Sequence, residues 1–194
     1  MPPAASPIFD RLDRELWLIT AQAGQRRGGL IATFVSRASL VPALPRVTVG
    51  LAKHHHTWEL IEASGAFALH LIGEDQLEWV WRFGLRSGRD CDKLEGLAAR
   101  SGVTGSPILN DALAWLDCRV EARLDTGDRT LYLAEAVDAQ NVHSRPILTA
   151  KRLRELAPVD KLRELSESMA RDIDIDAEAI LKWRRQRAAS GNGK

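Results

Sequence analysis

A mainly β protein with peripheral helices and a helical C-terminal extension is what this chain predicts. Short apolar runs separated by glycine-rich polar turns recur from Leu16 onward. Two longer alternating runs, Ala112–Leu124 and Thr130–Ala139, are joined by DTGDR, whose glycine suits a tight hairpin turn. Past Arg145-Pro146 the sequence becomes charged and rich in helix formers, with Leu153, Leu156, Leu162, Leu165, Met169, Ile180, Leu181 and Trp183 at helical intervals. These shifts divide the chain into a β domain over residues 1–146 and a helical extension over 147–194.

In chain order, Ser6-Pro7 opens a short helix to about Leu12, and Leu16–Ala23 reads as a strand. The turn GQRRGG leads into a second strand, Leu30–Val35, and Val47–Ala52 is a third. Thr57 is the expected N-cap of a helix over Trp58–Ala63, which Ser64-Gly65 ends. Phe67–Ile72 returns as a strand. Leu77, Val80 and Trp81 then give Glu74–Phe83 a helical period. Pro158 splits the tail into at least two helices, and the final ASGNGK is expected to fray.

Composition excludes more than it selects. With 194 residues, 45% hydrophobic and 27% charged, the chain has the make-up of a globular domain with an appendage. Lys plus Arg at 27 against Asp plus Glu at 26 gives a net charge of +1, so neither nucleic acid nor a membrane surface is an expected partner. The opening MPPAASPIFDRLDRE lacks the basic start and apolar centre of a signal peptide, and the expected location is the cytoplasm. Cys91 and Cys118 make no disulfide framework and no zinc site, and Cys118 is expected buried in a strand.

Two stretches suggest a flat, phosphorylated ligand. In GGLIATFVSRASLVP, the small residues Ala32, Thr33, Ser36 and Ser39 leave room for a ring to approach the main chain. Lys53, His54, His55, His56 and Thr57 precede a helix N-terminus, where backbone donors and the helix dipole favour an anion. The competing readings are a core strand packed with small residues and a solvated loop. Three consecutive histidines also raise metal, but neighbours in an extended segment point to opposite sides and no further Cys/His cluster completes a set, so no metal is expected.

GLIATFVSRASL, IEASGAFALHLI and ALAWLDCRVEARLDTGDRTLYLAEAV, three segments in the right order over about Leu16–Gln140, resemble the flavin reductase-like family of FMN-binding split-barrel proteins. The first stretch also resembles the flavin reductase domain of flavodiiron proteins, a hint of electron transfer. The resemblance implies a closed, mostly antiparallel barrel of about six strands. It further implies a homodimer with FMN near its interface, NADH or NADPH as co-substrate, and free flavin or a protein as electron acceptor.

Carried onto this chain, the resemblance lays Ile31, Ala32, Thr33, Phe34, Val35 and Ser36 along the isoalloxazine ring. Lys53, His54, His55 and Thr57 fall around the FMN phosphate. Phe83 and Lys93 fall beside the flavin, with Asp92 an expected partner of Lys93 in a pair that would serve equally as a surface salt bridge. Leu94 stands where the family carries an aromatic. Trp58, Trp79, Trp81 and Trp115 suit flavin stacking or, more commonly, core packing. Arg129 replaces the histidine of a Gly-Asp-His-Thr element associated with nicotinamide binding; arginine shuttles no proton at neutral pH but holds phosphates well. The implied activity is an NAD(P)H:flavin oxidoreductase, with non-catalytic flavin binding, storage or sensing as the alternative.

Overall fold

The computed structural model describes residues 6–9 and 11–191. A short helix, α1 (Ser6–Phe9), precedes a hairpin of β1 (Trp17–Ala23) and β2 (Arg26–Ala32), closed by Gly24 in the left-handed region at φ 58°. The expected single strand over Leu30–Val35 is broken. Thr33 and Phe34 form a corner, after which β3 (Val35–Arg37) pairs with β4 (Arg46–Ala52) instead of β1.

That corner explains the architecture. With β5 (Ala66–Leu71), β8 (Ala114–Asp125) and β9 (Arg129–Asn141), the strands form one antiparallel sheet in the order β2-β1-β5-β8-β9-β4-β3. Its two edge strands, β2 and β3, are joined by two residues only, so the sheet must curl until its edges meet. The fold is therefore a curled, barrel-like sheet of seven strands where about six were expected. A small hairpin of β6 (Ala99–Ser101) and β7 (Pro107–Leu109) adds to it; both strands are too short to show a period.

Helix α2 spans His56–Ser64 and starts earlier than expected. His55 occupies the N-cap without a side-chain capping bond, while Thr57 lies buried within the first turn. Gly65 ends α2 in the left-handed region at φ 68°, its amide donating to the Ile61 carbonyl. The barrel interior holds Ile19, Leu30, Val49, Leu60, Phe67 and Tyr132, together with Cys118, buried in β8 as expected. A second cluster under α3 (Leu77–Gly84) gathers Leu16, Ile72, Val80, Phe83 and Leu148.

Leu148 is fully buried, and its amide donates to the Ile72 carbonyl while its carbonyl accepts from Leu16. The expected domain boundary after residue 146 falls inside this paired segment. Beyond it α4 (Ala150–Leu156) leads through Pro158 to α5 (Val159–Gly191), which includes Ala189–Gly191 of the segment expected to fray; residues 192–194 lie outside the described residues.

His70 pins β5 inside the barrel wall. Its Nδ1 donates to the Leu18 carbonyl at 3.1 Å and its Nε2 accepts from the Leu109 amide at 3.0 Å, so only the neutral ring satisfies both. Burial accordingly lowers its pKa from 6.5 to about 4. Below pH 6.5 the unfolded chain binds a proton that the folded one refuses, so stability is expected to fall from pH 6.5 toward 4, by up to about 1.4 kcal/mol per pH unit from this ring. Urea midpoints between pH 7.5 and 4.5 measure that slope, and His70→Gln should flatten it; an identical slope in the variant assigns the effect elsewhere.

Candidate functional site at the end of the barrel

Residues far apart in sequence converge where β4 runs into α2. Ala52 pairs in register with Arg129, and the Lys53 amide donates to the Asp128 carbonyl at 2.9 Å, tying the Lys53–Thr57 loop to the β8–β9 turn. Gly127 makes that turn possible. Its φ is 98°, and a Cβ there would lie 2.6 Å from the Trp183 Cβ, so α5 is seated directly on the turn. The indole of Trp58 donates to the Thr130 hydroxyl at 2.9 Å, fixing the first turn of α2 against β9.

The cations of this cluster face carboxylates. Lys53 Nζ lies 2.6 Å from Asp125 Oδ1, and this hydrogen bond holds the Asp125 carboxyl below its usual range. Arg129 Nε donates to Asp128 Oδ2 at 2.5 Å, and its Nη2 donates to Asp176 of α5. The guanidinium carbon also sits 5.0 Å from the centre of the Phe34 ring, a cation–π distance. His54 Nε2 is 3.1 Å from Asp172 Oδ1, and its Nδ1 is 3.6 Å from Asp176 Oδ1. Burial, aided by His54, lowers the His55 pKa to about 4, so this ring is neutral near pH 7.

His54 and His55 lie in a turn, where their ring centroids come within 4.2 Å. The expectation that adjacent histidines diverge therefore fails, because it assumed an extended backbone. Asp172 completes a trio with them whose donor atoms lie within 4.8 Å of one another. Sequence reasoning had no signal for this: Asp172 stands 118 positions from His54, among many charged residues of an amphipathic helix.

The other expected site residues are distributed unevenly. Val35 and Ser36 line an elongated cleft of about 670 Å³ with Trp17, Arg37, Val47 and Leu116. Phe34 is half exposed at the corner, and Ile31 and Thr33 are partly buried beside the buried Ala32. His56 lines a second cleft of about 530 Å³, shared with Arg26, Arg27, Glu59 and Arg89. Those guanidiniums are paired, Arg27 with Asp92 at 2.7 Å and Arg89 with Glu59 at 2.5 Å.

Asp92 thus pairs with Arg27 and not with Lys93. Lys93 is itself buried, donating through Nζ to the Gly29 and Phe83 carbonyls at 3.0 and 2.9 Å, and burial pushes its pKa down to about 8. Phe83 is a core residue, and its ring at 3.1 Å and the Ile19 carbonyl at 2.8 Å together leave no room for a Cβ at Gly29. Lys93 nonetheless lies close enough to the Lys53–Thr57 loop for its charge to act on His55. Trp81 and Trp115 are buried as well, which accounts for them as packing residues.

The chain is a β protein whose curled antiparallel sheet carries a basic loop and a helix N-terminus at its end, and comparison with known sequences makes the assignment. The family model described as the flavin reductase like domain matches residues 9–156, and the chain belongs to that family. It is 30% identical to a ferric-chelate reductase (NAD(P)H) of Archaeoglobus fulgidus over 73% of this chain and 83% of that protein. It is also 31% identical to diflavin flavoprotein A 1 of Synechocystis sp. over 67% of this chain, but over just 22% of that much longer protein. Among solved structures, nitrilotriacetate monooxygenase component B from Mycobacterium thermoresistibile superposes with a TM-score of 0.65 at 28% identity, covering 73% of this chain and 78% of that one. The family is one of flavin-dependent oxidoreductases, and this chain is an oxidoreductase of that type. No helix among the described residues is long and apolar enough to cross a membrane.

Proposed function

We propose that this protein is an NAD(P)H:flavin oxidoreductase that binds FMN through the Lys53–Thr57 loop and receives the dinucleotide beside Arg129. The carrying observation is the junction of three anion-seeking elements in a chain of this family. These are the Lys53 ammonium, the α2 N-terminus without a side-chain cap, and the Arg129 guanidinium in register with Ala52. The residues suit a phosphate: one charge from Lys53, hydrogen bonds from His54 and the neutral His55, and the backbone donors of the first α2 turn.

FMN, when bound, supplies the redox chemistry, accepting a hydride from the nicotinamide and passing electrons to free flavin or an acceptor protein. The protein's share is to hold and orient both nucleotides. Backbone around the Thr33–Phe34 corner offers hydrogen bonds to the ring, and Phe34 and Arg129 shape the side from which nicotinamide approaches. No side chain is required as a proton shuttle, which agrees with an arginine at position 129. A homodimer is part of the proposal. Phe34, Leu40, Val41 and Leu44 expose half or more of their surface in the segment bordering the ring-facing cleft, apolar area that a second copy would cover.

Reduction of bound flavin is the direct test. The purified protein is expected to absorb between about 350 and 500 nm and to bleach anaerobically on addition of NADH or NADPH. Arg129 held by Asp128 and Asp176 favours the second reading, in which flavin is bound but not turned over. A yellow protein that neither nicotinamide bleaches selects that reading, and a protein that takes up no flavin refutes both.

A further inference from the structure

Helix α5 places two carboxylates on His54 and Arg129, groups that the proposed function assigns to phosphate. Asp172 engages His54 from one side, and Asp176 reaches Arg129 and faces His54 Nδ1. The helix is otherwise seated through Leu165 on the cluster beneath α3 and through Trp183 on Gly127, while Met169, Ile173 and Leu181 remain exposed. Asp176 Oδ1 is buried without a hydrogen-bond partner among the described residues, and burial raises the Asp176 carboxyl above its usual range despite the neighbouring Arg129. The carboxylate is held there against its own hydration.

We propose that Asp172 and Asp176 are specificity-determining residues, standing where nucleotide phosphate oxygens go: Asp172 against the flavin phosphate and Asp176 against the dinucleotide phosphates. This rests on the flavin-binding reading above. A fixed negative charge weakens binding of a phosphate and leaves a ligand without one nearly unaffected. Helix α5 therefore sets how far the site distinguishes FMN from riboflavin, and how much dinucleotide is needed to reach Arg129. The same His54–His55–Asp172 trio has the donor set of a divalent-cation site. Lys93 and Arg129, whose charges act on His55, supply positive charge that favours an anion there.

The test uses the full chain carrying Asp172→Asn, Asp176→Asn or, as a control, Asp174→Asn, an exposed position on the same helix. Fluorescence titration with Asp172→Asn is expected to tighten FMN about tenfold and riboflavin less than about twofold, the size of effect one removed like charge has at partly screened range. Asp176→Asn is expected to lower KM for NADH or NADPH by a similar factor with kcat unchanged, and Asp176→Glu, which keeps the charge, to behave as wild type. Asp174→Asn should change neither. Equal tightening of both flavins, or an FMN affinity unaltered in Asp172→Asn while the wild type binds FMN, overturns the proposal and leaves the flavin reading standing. Failure of wild type and variants alike to bind any flavin overturns both. Stoichiometric zinc retained by the wild type and lost in Asp172→Asn would give the trio to a cation and overturn it as well.

Discussion

Lys53→Ala is expected to weaken FMN ten- to a hundredfold and to leave riboflavin within about twofold, since a charge-assisted hydrogen bond contributes about 1.5–3 kcal/mol and only FMN carries the anion. The structural cost of this change is small. Lys53 is tied to Asp125 by a pair in which Asp125 is 60% exposed, and such surface pairs contribute under about 1 kcal/mol. Thermal unfolding of the ligand-free variant should therefore match wild type, which separates lost recognition from lost fold. Thr57, by contrast, is buried in the first turn of α2, so its replacement disturbs packing and reports poorly on phosphate contact. Titration of both flavins decides the matter: a loss shared equally by FMN and riboflavin removes Lys53 from the phosphate site.

Arg129→Ala is the second large effect, expected to raise KM for NADH or NADPH by roughly tenfold or more while FMN affinity moves little, because the lost contact is to the dinucleotide phosphates. Its structural consequence is larger than that of Lys53→Ala. Arg129 neutralises the buried Asp128 and the largely buried Asp176, and stripping both carboxylates of their partner costs about 1–3 kcal/mol each. The variant should thus unfold at lower temperature and also lose its hold on α5. Arg129→His, which places at this turn the histidine of the Gly-Asp-His-Thr element implied by the resemblance, is expected to support NADH use. Steady-state kinetics with both dinucleotides distinguishes these outcomes, and an unchanged KM in Arg129→Ala takes the residue out of the dinucleotide site.

The strands were legible wherever local pattern and tertiary demand agreed. β8 and β9 alternate in part, β8 most clearly over Cys118–Asp125, DTGDR announces their turn, and the glycine after α2 stops it where a left-handed residue is required. The break at Thr33–Phe34 was not legible, because apolar residues continue across it from Ile31 and Ala32 to Phe34 and Val35 with no glycine or proline to mark a turn. What interrupts them is a change of pairing partner from β1 to β4, which no local window contains. The N-cap was misplaced for a similar reason: Thr57 has the right chemistry, but burying it beside Gly28 and Leu60 starts the helix at His56.

By itself the sequence determined the class of fold, the basic loop before α2 and the identity of residue 129, since each is written in residue type and short-range spacing. Tertiary structure alone decided which charges meet. Lys93 was drawn inward to two carbonyls, Asp92 was turned toward Arg27, and α5 laid Asp172 and Asp176 on His54 and Arg129. The physical reason is that hydrophobic periodicity is a local property of the chain. The partner of a charged group is whichever opposite charge the packed backbone brings within about 4 Å, and that depends on every turn in between.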